Sequence, residues 1–151
     1  MQKITPFLWF DAQAEEAARF YISIFKNSKI GQVARGQGGK VMVIGFELDG
    51  LKFTALNGGP LYKFTEAISL QVDCADQAEI DDLWNKLTAD GGQPGRCGWL
   101  KDRFGLSWQI VPANMGQLIG GDDPAKAGRA TQAMMGMNKL DIAALEAARE
   151  G

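Results

Sequence analysis

The chain has 151 residues, 46% hydrophobic and 23% charged, with a formal net charge of −2 and no histidine. That length supports a sizeable core, and the composition is that of a globular protein. With no run of Lys or Arg the electrostatic footprint of nucleic-acid binding is missing, and no apolar run approaches the ~20 residues of a membrane span. The lack of histidine excludes Ser-His-Asp and Cys-His catalysis and removes the commonest metal ligand. The opening segment, MQKITPFLWF, does not read as a signal peptide. A cytoplasmic protein is expected, with Cys74 and Cys97 as reduced thiols outside any CxxC motif.

In chain order, Ile4 to Phe10 reads as a strand. The period then changes: Ala14, Ala17, Ala18, Tyr21, Ile24 and Phe25 fall on one face of a helix over Gln13 to Phe25. Asp11 is the expected cap of that helix, and Asn27 a left-handed stop. Strands follow at Ile30–Arg35, Val41–Leu48 and Leu51–Asn57, the last two joined by the hairpin signal Asp49-Gly50. After a loop over Gly58 to Lys63 the order repeats. Ala67 to Asp73 reads as a strand, and Asp76 to Ala89 as a helix with Ile80, Leu83, Trp84 and Leu87 on one face. Asp76 and Glu79 have the spacing of a capping box, and Gly91-Gly92 supplies the stop. A strand near Trp99 leads into a hairpin, CGWLKDRFGLSWQIVP (Cys97 to Pro112), which turns on Asp102 and Gly105. A helical tail follows, with helices over Ala125 to Met137 and Asp141 to Arg149. Its Ala130, Met134 and Met137 form a stripe that reads as core or subunit contact. The two halves, each a strand, a helix and further strands, give an α+β architecture.

The repeated module, FYISIF (Phe20 to Phe25) and FGLSWQIVP (Phe104 to Pro112) resemble the vicinal oxygen chelate superfamily of glyoxalases, bleomycin-resistance proteins and extradiol dioxygenases. PFLWFDAQAEEAARFY, LNGGP, EAISLQV, CGWLKDRFGLSWQIVP and AMMGMNKLDIAALEAA are more closely similar to its PhnB-like branch, often labelled demethylubiquinone methyltransferase. The resemblance implies two βαβββ modules, 3–57 and 66–112, whose sheets curl around a cleft in a domain spanning 3–112. Residues 113–151 are then a helical C-terminal extension, and a homodimer is expected.

In metal-using members four ligands project into the cleft from the first and last strands of the two modules. The equivalent positions here lie near Thr5, Ala55 or Asn57, Ala67 and Gln109, none of them a histidine, carboxylate or cysteine. No metal and no cofactor is therefore expected. The glycines at Gly36, Gly38 and Gly39 lie between two strand candidates, so no nucleotide-type strand-to-helix turn is read there. Strand alternation turns Thr5, Phe7, Trp9, Ser69, Gln71, Trp99 and Gln109 toward the cleft. Asn57 and Cys97 complete the candidate ligand-binding set, and Cys97 is the one candidate nucleophile near it. The leading reading is a metal-free homodimer that sequesters or senses a small apolar or aromatic ligand. The alternatives are an enzyme of the glyoxalase/dioxygenase superfamily with an atypical cleft, and a structural dimer whose cleft its own side chains fill.

Overall fold

A computed structural model describes residues 1–151, which divide into two compact units, Met1–Phe64 and Thr65–Gly151. The first contains β1 (Phe7–Phe10), α1 (Ala14–Ile24), β2 (Lys29–Arg35), β3 (Val41–Leu48) and β4 (Leu51–Asn57), with strand order β1-β4-β3-β2. The second contains β5 (Leu70–Cys74), α2 (Gln77–Thr88), β6 (Gln93–Pro94), β7 (Trp99–Lys101) and β8 (Ser107–Pro112), with order β5-β8-β7-β6. The expected βαβββ module is thus present twice, and each copy forms its own mixed four-stranded sheet. First and last strands pair in parallel, β1 with β4 and β5 with β8, and the other pairs are antiparallel.

In the first unit, α1 buries Ala14, Ala17, Ala18 and Tyr21. The three alanines let the helix backbone approach the sheet closely. Beneath it Leu8, Phe10, Ile44, Phe46, Phe53 and Ala55 are buried, with Phe46 stacked on Phe53 at 5.3 Å between ring centroids. Each large side chain so buried contributes about 1.5–3 kcal/mol of transfer free energy. The helix cap differs from expectation. Asp11 does not cap α1; the carboxamide oxygen of Asn57, at the end of β4, accepts from the Ala14 amide at 2.8 Å. A strand end thereby satisfies a first-turn donor that no local side chain reaches. Asn27 does take the left-handed conformation, with φ of 53°.

In the second unit, α2 buries Ile80, Leu83, Trp84 and Leu87, as its periodicity predicts. The Asp76 carboxylate accepts from the Glu79 amide at 2.9 Å, and the Glu79 carboxylate accepts from the Ala75 amide at 2.7 Å. The strand expected from Ala67 begins only at Leu70; Ala67 donates its amide to the Thr65 hydroxyl in a local turn instead.

After β8 come α3 (Met115–Leu118), α4 (Pro124–Met135) and α5 (Ile142–Glu150). Asp123 and Asp141 cap α4 and α5. Leu118, Leu140 and Leu145 bury against Val111 of β8, with Met115, Met134 and Met137 packed around them. The methionines of the stripe pack against this core and remain partly buried. The Gln77 side chain bonds the backbone of both Leu140 and Ile142, and the Cys97 and Gly98 amides donate to Met137 and Asn138.

The hairpin from Trp99 to Pro112 is organised by one buried carboxylate. Asp102 is 2% exposed; its Oδ1 accepts from the Phe104 and Leu106 amides and its Oδ2 from the Trp108 indole at 2.9 Å. Gly105 completes the turn at φ of 89°, donating to the Asp102 carbonyl at 3.0 Å. Replacing Asp102 by Ala would leave these donors with no acceptor in a buried place. Asp102→Ala is expected to lower unfolding free energy by about 3 kcal/mol, and Asp102→Asn by less because it keeps an acceptor oxygen. Urea titration with an unchanged slope checks both.

Candidate functional site

The helix covers one face of each sheet, and the candidate strand residues other than Asn57 lie on the other. In the first unit Thr5, Phe7 and Trp9 alternate away from the buried Leu8 and Phe10, and Phe7 remains 58% exposed. The register pairs Phe7 with Thr54 and Trp9 with Leu56, so Thr54 and Leu56 are the β4 residues on that face. Asn57 and Ala55 were expected there and lie instead on the helix side. Ala55 is fully buried, and Asn57 spends its amide on Ala14 and, at 3.0 Å, on the Val41 carbonyl. The phase of β4 is set by Phe53 and Ala55 filling the space under α1, which fixes every second residue after them.

Trp9 is held from several sides. Its indole N–H donates to the Gly59 carbonyl at 3.0 Å, and Tyr62 packs edge-on at 4.9 Å between centroids. The six-membered ring lies against Gly58, where an added Cβ would come within 2.3 Å of Cζ2. The LNGGP turn is therefore shaped to receive this indole. Gly58→Ala is expected to cost about 1–3 kcal/mol by overpacking, read by urea unfolding, and to alter the near-ultraviolet circular dichroism of Trp9.

In the second unit Gln109 pairs with Gln71 on one side and Trp99 on the other, and Ser107 pairs with Lys101. These five share the face opposite α2, while Leu70, Leu100, Trp108 and Ile110 form the alternate set. The two amides expected to need partners have found different ones. Gln109 donates to the Ser69 hydroxyl at 3.0 Å, and Gln71 donates to Asp73 at 2.8 Å.

Cys97 sits just before β7 at φ of 59°, half-buried, with its amide bound to the Met137 carbonyl. Both cysteines are free thiols. Burial, with the nearby carboxylates of Glu79, Asp73 and Asp76, pushes the Cys74 thiol up to about 12, so it is inert as a nucleophile.

A cavity of about 440 Å³ opens on the same face of the second sheet, lined by residues that include Trp99, Lys101, Ser107, Arg96, Glu66 and Pro94. Ser107 is 1% exposed, and its hydroxyl has no hydrogen-bond partner. Buried hydroxyls are nearly always paired, which sets this one apart. Depressions of about 630 and 710 Å³ on the first unit contain no such group. Glu66 and Arg96 are pocket residues that alternation could not supply, because both lie outside the strands.

Lys101 donates to Glu66 at 2.7 Å. The hydrogen bond from Lys101, reinforced by its charge, holds the exposed Glu66 carboxyl below the usual range. A depressed carboxyl contributes above its unfolded pKa, and that contribution is lost as pH falls through the folded one. Carbonyl-carbon NMR is expected to show Glu66 titrating below an ordinary glutamate in the native protein. The midpoint should move up toward the ordinary value in Lys101→Met.

The sequence profile of the family described as 3-demethylubiquinone-9 3-methyltransferase matches residues 2–111. The chain belongs to this family. It is similar to the PhnB protein of Bacillus cereus, which carries the same methyltransferase label. That protein is 35% identical, with a TM-score of 0.68 over 73% of this chain and 99% of that one. It is also similar to PA1353 of Pseudomonas aeruginosa, 18% identical, with a TM-score of 0.61 over 74% of this chain and 98% of that one. A further likeness is to FosX, a fosfomycin resistance protein of Listeria monocytogenes solved with Mn(II) and sulfate. It is 13% identical, with a TM-score of 0.52 over 77% of this chain and 93% of that one. The last two likenesses establish a shared fold alone. No curated protein matches the sequence. The chain is PhnB-like, and it shares its fold with FosX.

The residues of this chain do not fit the groups that such relatives suggest. The positions that the resemblance assigns to metal ligands hold Thr5, Ala55 or Asn57, Ala67 and Gln109, with the Asn57 amide already engaged. No three His, Cys, Asp or Glu side chains converge anywhere in the chain. Hydroxyl and amide oxygens alone are a poor set for a transition metal. The Gly36 to Gly39 run does not form the cradle of a nucleotide-type methyl donor. Gly36 to Gly39 form the β2–β3 turn, closed by the Gly36 amide on the Lys40 carbonyl at 2.8 Å, and a strand follows rather than a helix.

Proposed function

We propose that this PhnB-like protein binds a small, partly apolar molecule on the face of its second sheet opposite α2, without a metal. The observation that carries the proposal is a cavity of about 440 Å³ lined by Trp99 and by Ser107, whose buried hydroxyl has no hydrogen-bond partner. A cavity of this size falls in the range of about 300–1,000 Å³ typical of ligand sites. Trp99 offers a face for stacking and Ser107 a hydrogen bond that a ligand would complete. Gln109, paired to Trp99 in register, adds a polar group on the same face. The donor chemistry at the superfamily's ligand positions supports binding over metal-assisted chemistry. The methyl transfer named in the family description finds no supporting cofactor cradle. The family resemblance further supports a homodimer, an assembly that light scattering reads.

Ser107→Ala separates this function from a structural role. An unpartnered buried hydroxyl is a liability in the free protein, so its removal should hold or raise the melting temperature. The thermal shift produced by 2-naphthol should fall in Ser107→Ala and vanish in Trp99→Ala. A destabilised Ser107→Ala protein with an undiminished shift would sink the proposal. Stoichiometric transition metal in protein purified without chelators, lost in Gln109→Ala, would favour the enzymatic alternative.

A further inference from the structure

The charges around the cavity are unequal in number and in what they are doing. Three ionisable side chains line it: Glu66, Lys101 and Arg96. Lys101 and Glu66 neutralise each other at 2.7 Å. Arg96 is exposed at the cavity mouth and has no ion-pair partner. Its backbone is nevertheless fixed, since the Arg96 carbonyl accepts from the Trp99 amide at 3.0 Å in the turn that leads into β7. The Arg96 side chain therefore leaves an ordered turn at the start of the strand that carries Trp99. The cavity holds one unspent positive charge, one aromatic face and one unsatisfied hydroxyl.

We infer that the cavity selects a planar aromatic monocarboxylate, with Arg96 binding the carboxylate, Trp99 stacking on the ring and Ser107 bonding a polar substituent. This rests on the pocket reading above and specifies its ligand. A guanidinium matches a carboxylate through two parallel N–H bonds, which a lysine cannot reproduce. A single free cation suits a monoanion. The apolar lining from Trp99 and Pro94 suits a ring over a free inorganic anion.

The test uses the full chain with 6-hydroxy-2-naphthoate, its methyl ester and 2-naphthol, by calorimetry and thermal shift. The acid should bind about tenfold or more tighter than the ester, the scale of a charge-assisted hydrogen bond. Added salt should narrow that gap. In Arg96→Gln, acid and ester should bind alike, with the melting temperature of the free protein unchanged. An ester that binds as well as the acid, with the 2-naphthol shift intact, overturns this inference and leaves the pocket reading standing. An acid preference that survives Arg96→Gln and disappears in Lys101→Met also overturns it, because the anion then displaces Glu66. Binding of none of the three compounds overturns both.

Discussion

In each module the first strand runs parallel to the last, and a single helix makes the crossover. Parallel neighbours cannot be joined by a hairpin, so the chain must leave the sheet, cross one face and return. One helix can cover only one face. That requirement divides every strand into two sets of residues. Leu8, Phe10, Ile44 and Phe46 in one module, and Leu100, Trp108 and Ile110 in the other, are buried. The opposite face keeps Thr5, Phe7 and Trp9 in the first unit, and Ser69, Gln71, Trp99, Ser107 and Gln109 in the second. The candidate site follows from this sidedness, since the polar groups it uses are those the helix does not need.

Within the second module the site depends on the hairpin register, and Asp102 holds that register. Its carboxylate gathers two backbone amides of the turn and the indole of Trp108. The buried acid binds the turn to the strand that follows it. Ser107 consequently stands opposite Lys101, and Gln109 opposite Trp99. A slip of one residue would exchange these side chains with Trp108 and Ile110 and place the indole of Trp108 on the wrong face.

The helical tail lies outside the family match, which ends at residue 111, yet it takes part in the second unit. Met137 and Asn138 accept the amides of Cys97 and Gly98, at the start of the strand that carries Trp99. A side chain at Gly98 would be strained by its φ of 86° and crowded, with its Cβ 3.0 Å from both the Ile110 carbonyl and Leu140. The tail therefore helps set one wall of the cavity, and this chain can shape its pocket through residues that the family profile does not describe. Cys97, read from the sequence as a candidate nucleophile, contributes its backbone to this junction.

Period and turn chemistry were enough to read the two modules, the helix of each, the Asp49-Gly50 and Asp102-Gly105 turns and the outward set of β1, β5, β7 and β8. Those features are local, or repeat along a single strand, and need no knowledge of neighbours. What only the tertiary structure decided involves residues far apart in the chain. Asn57 was read as a cleft residue because strands alternate; the phase of β4 came from packing under α1, and its amide was claimed by a helix start 43 residues away. The start of β5 moved to Leu70 because pairing with Trp108 begins there. Composition alone showed that no histidine could serve this protein. The neutralised Lys101, the unpaired Arg96 and the isolated Ser107 hydroxyl became visible only in three dimensions, because whether a polar group is satisfied depends on partners that the linear order does not name.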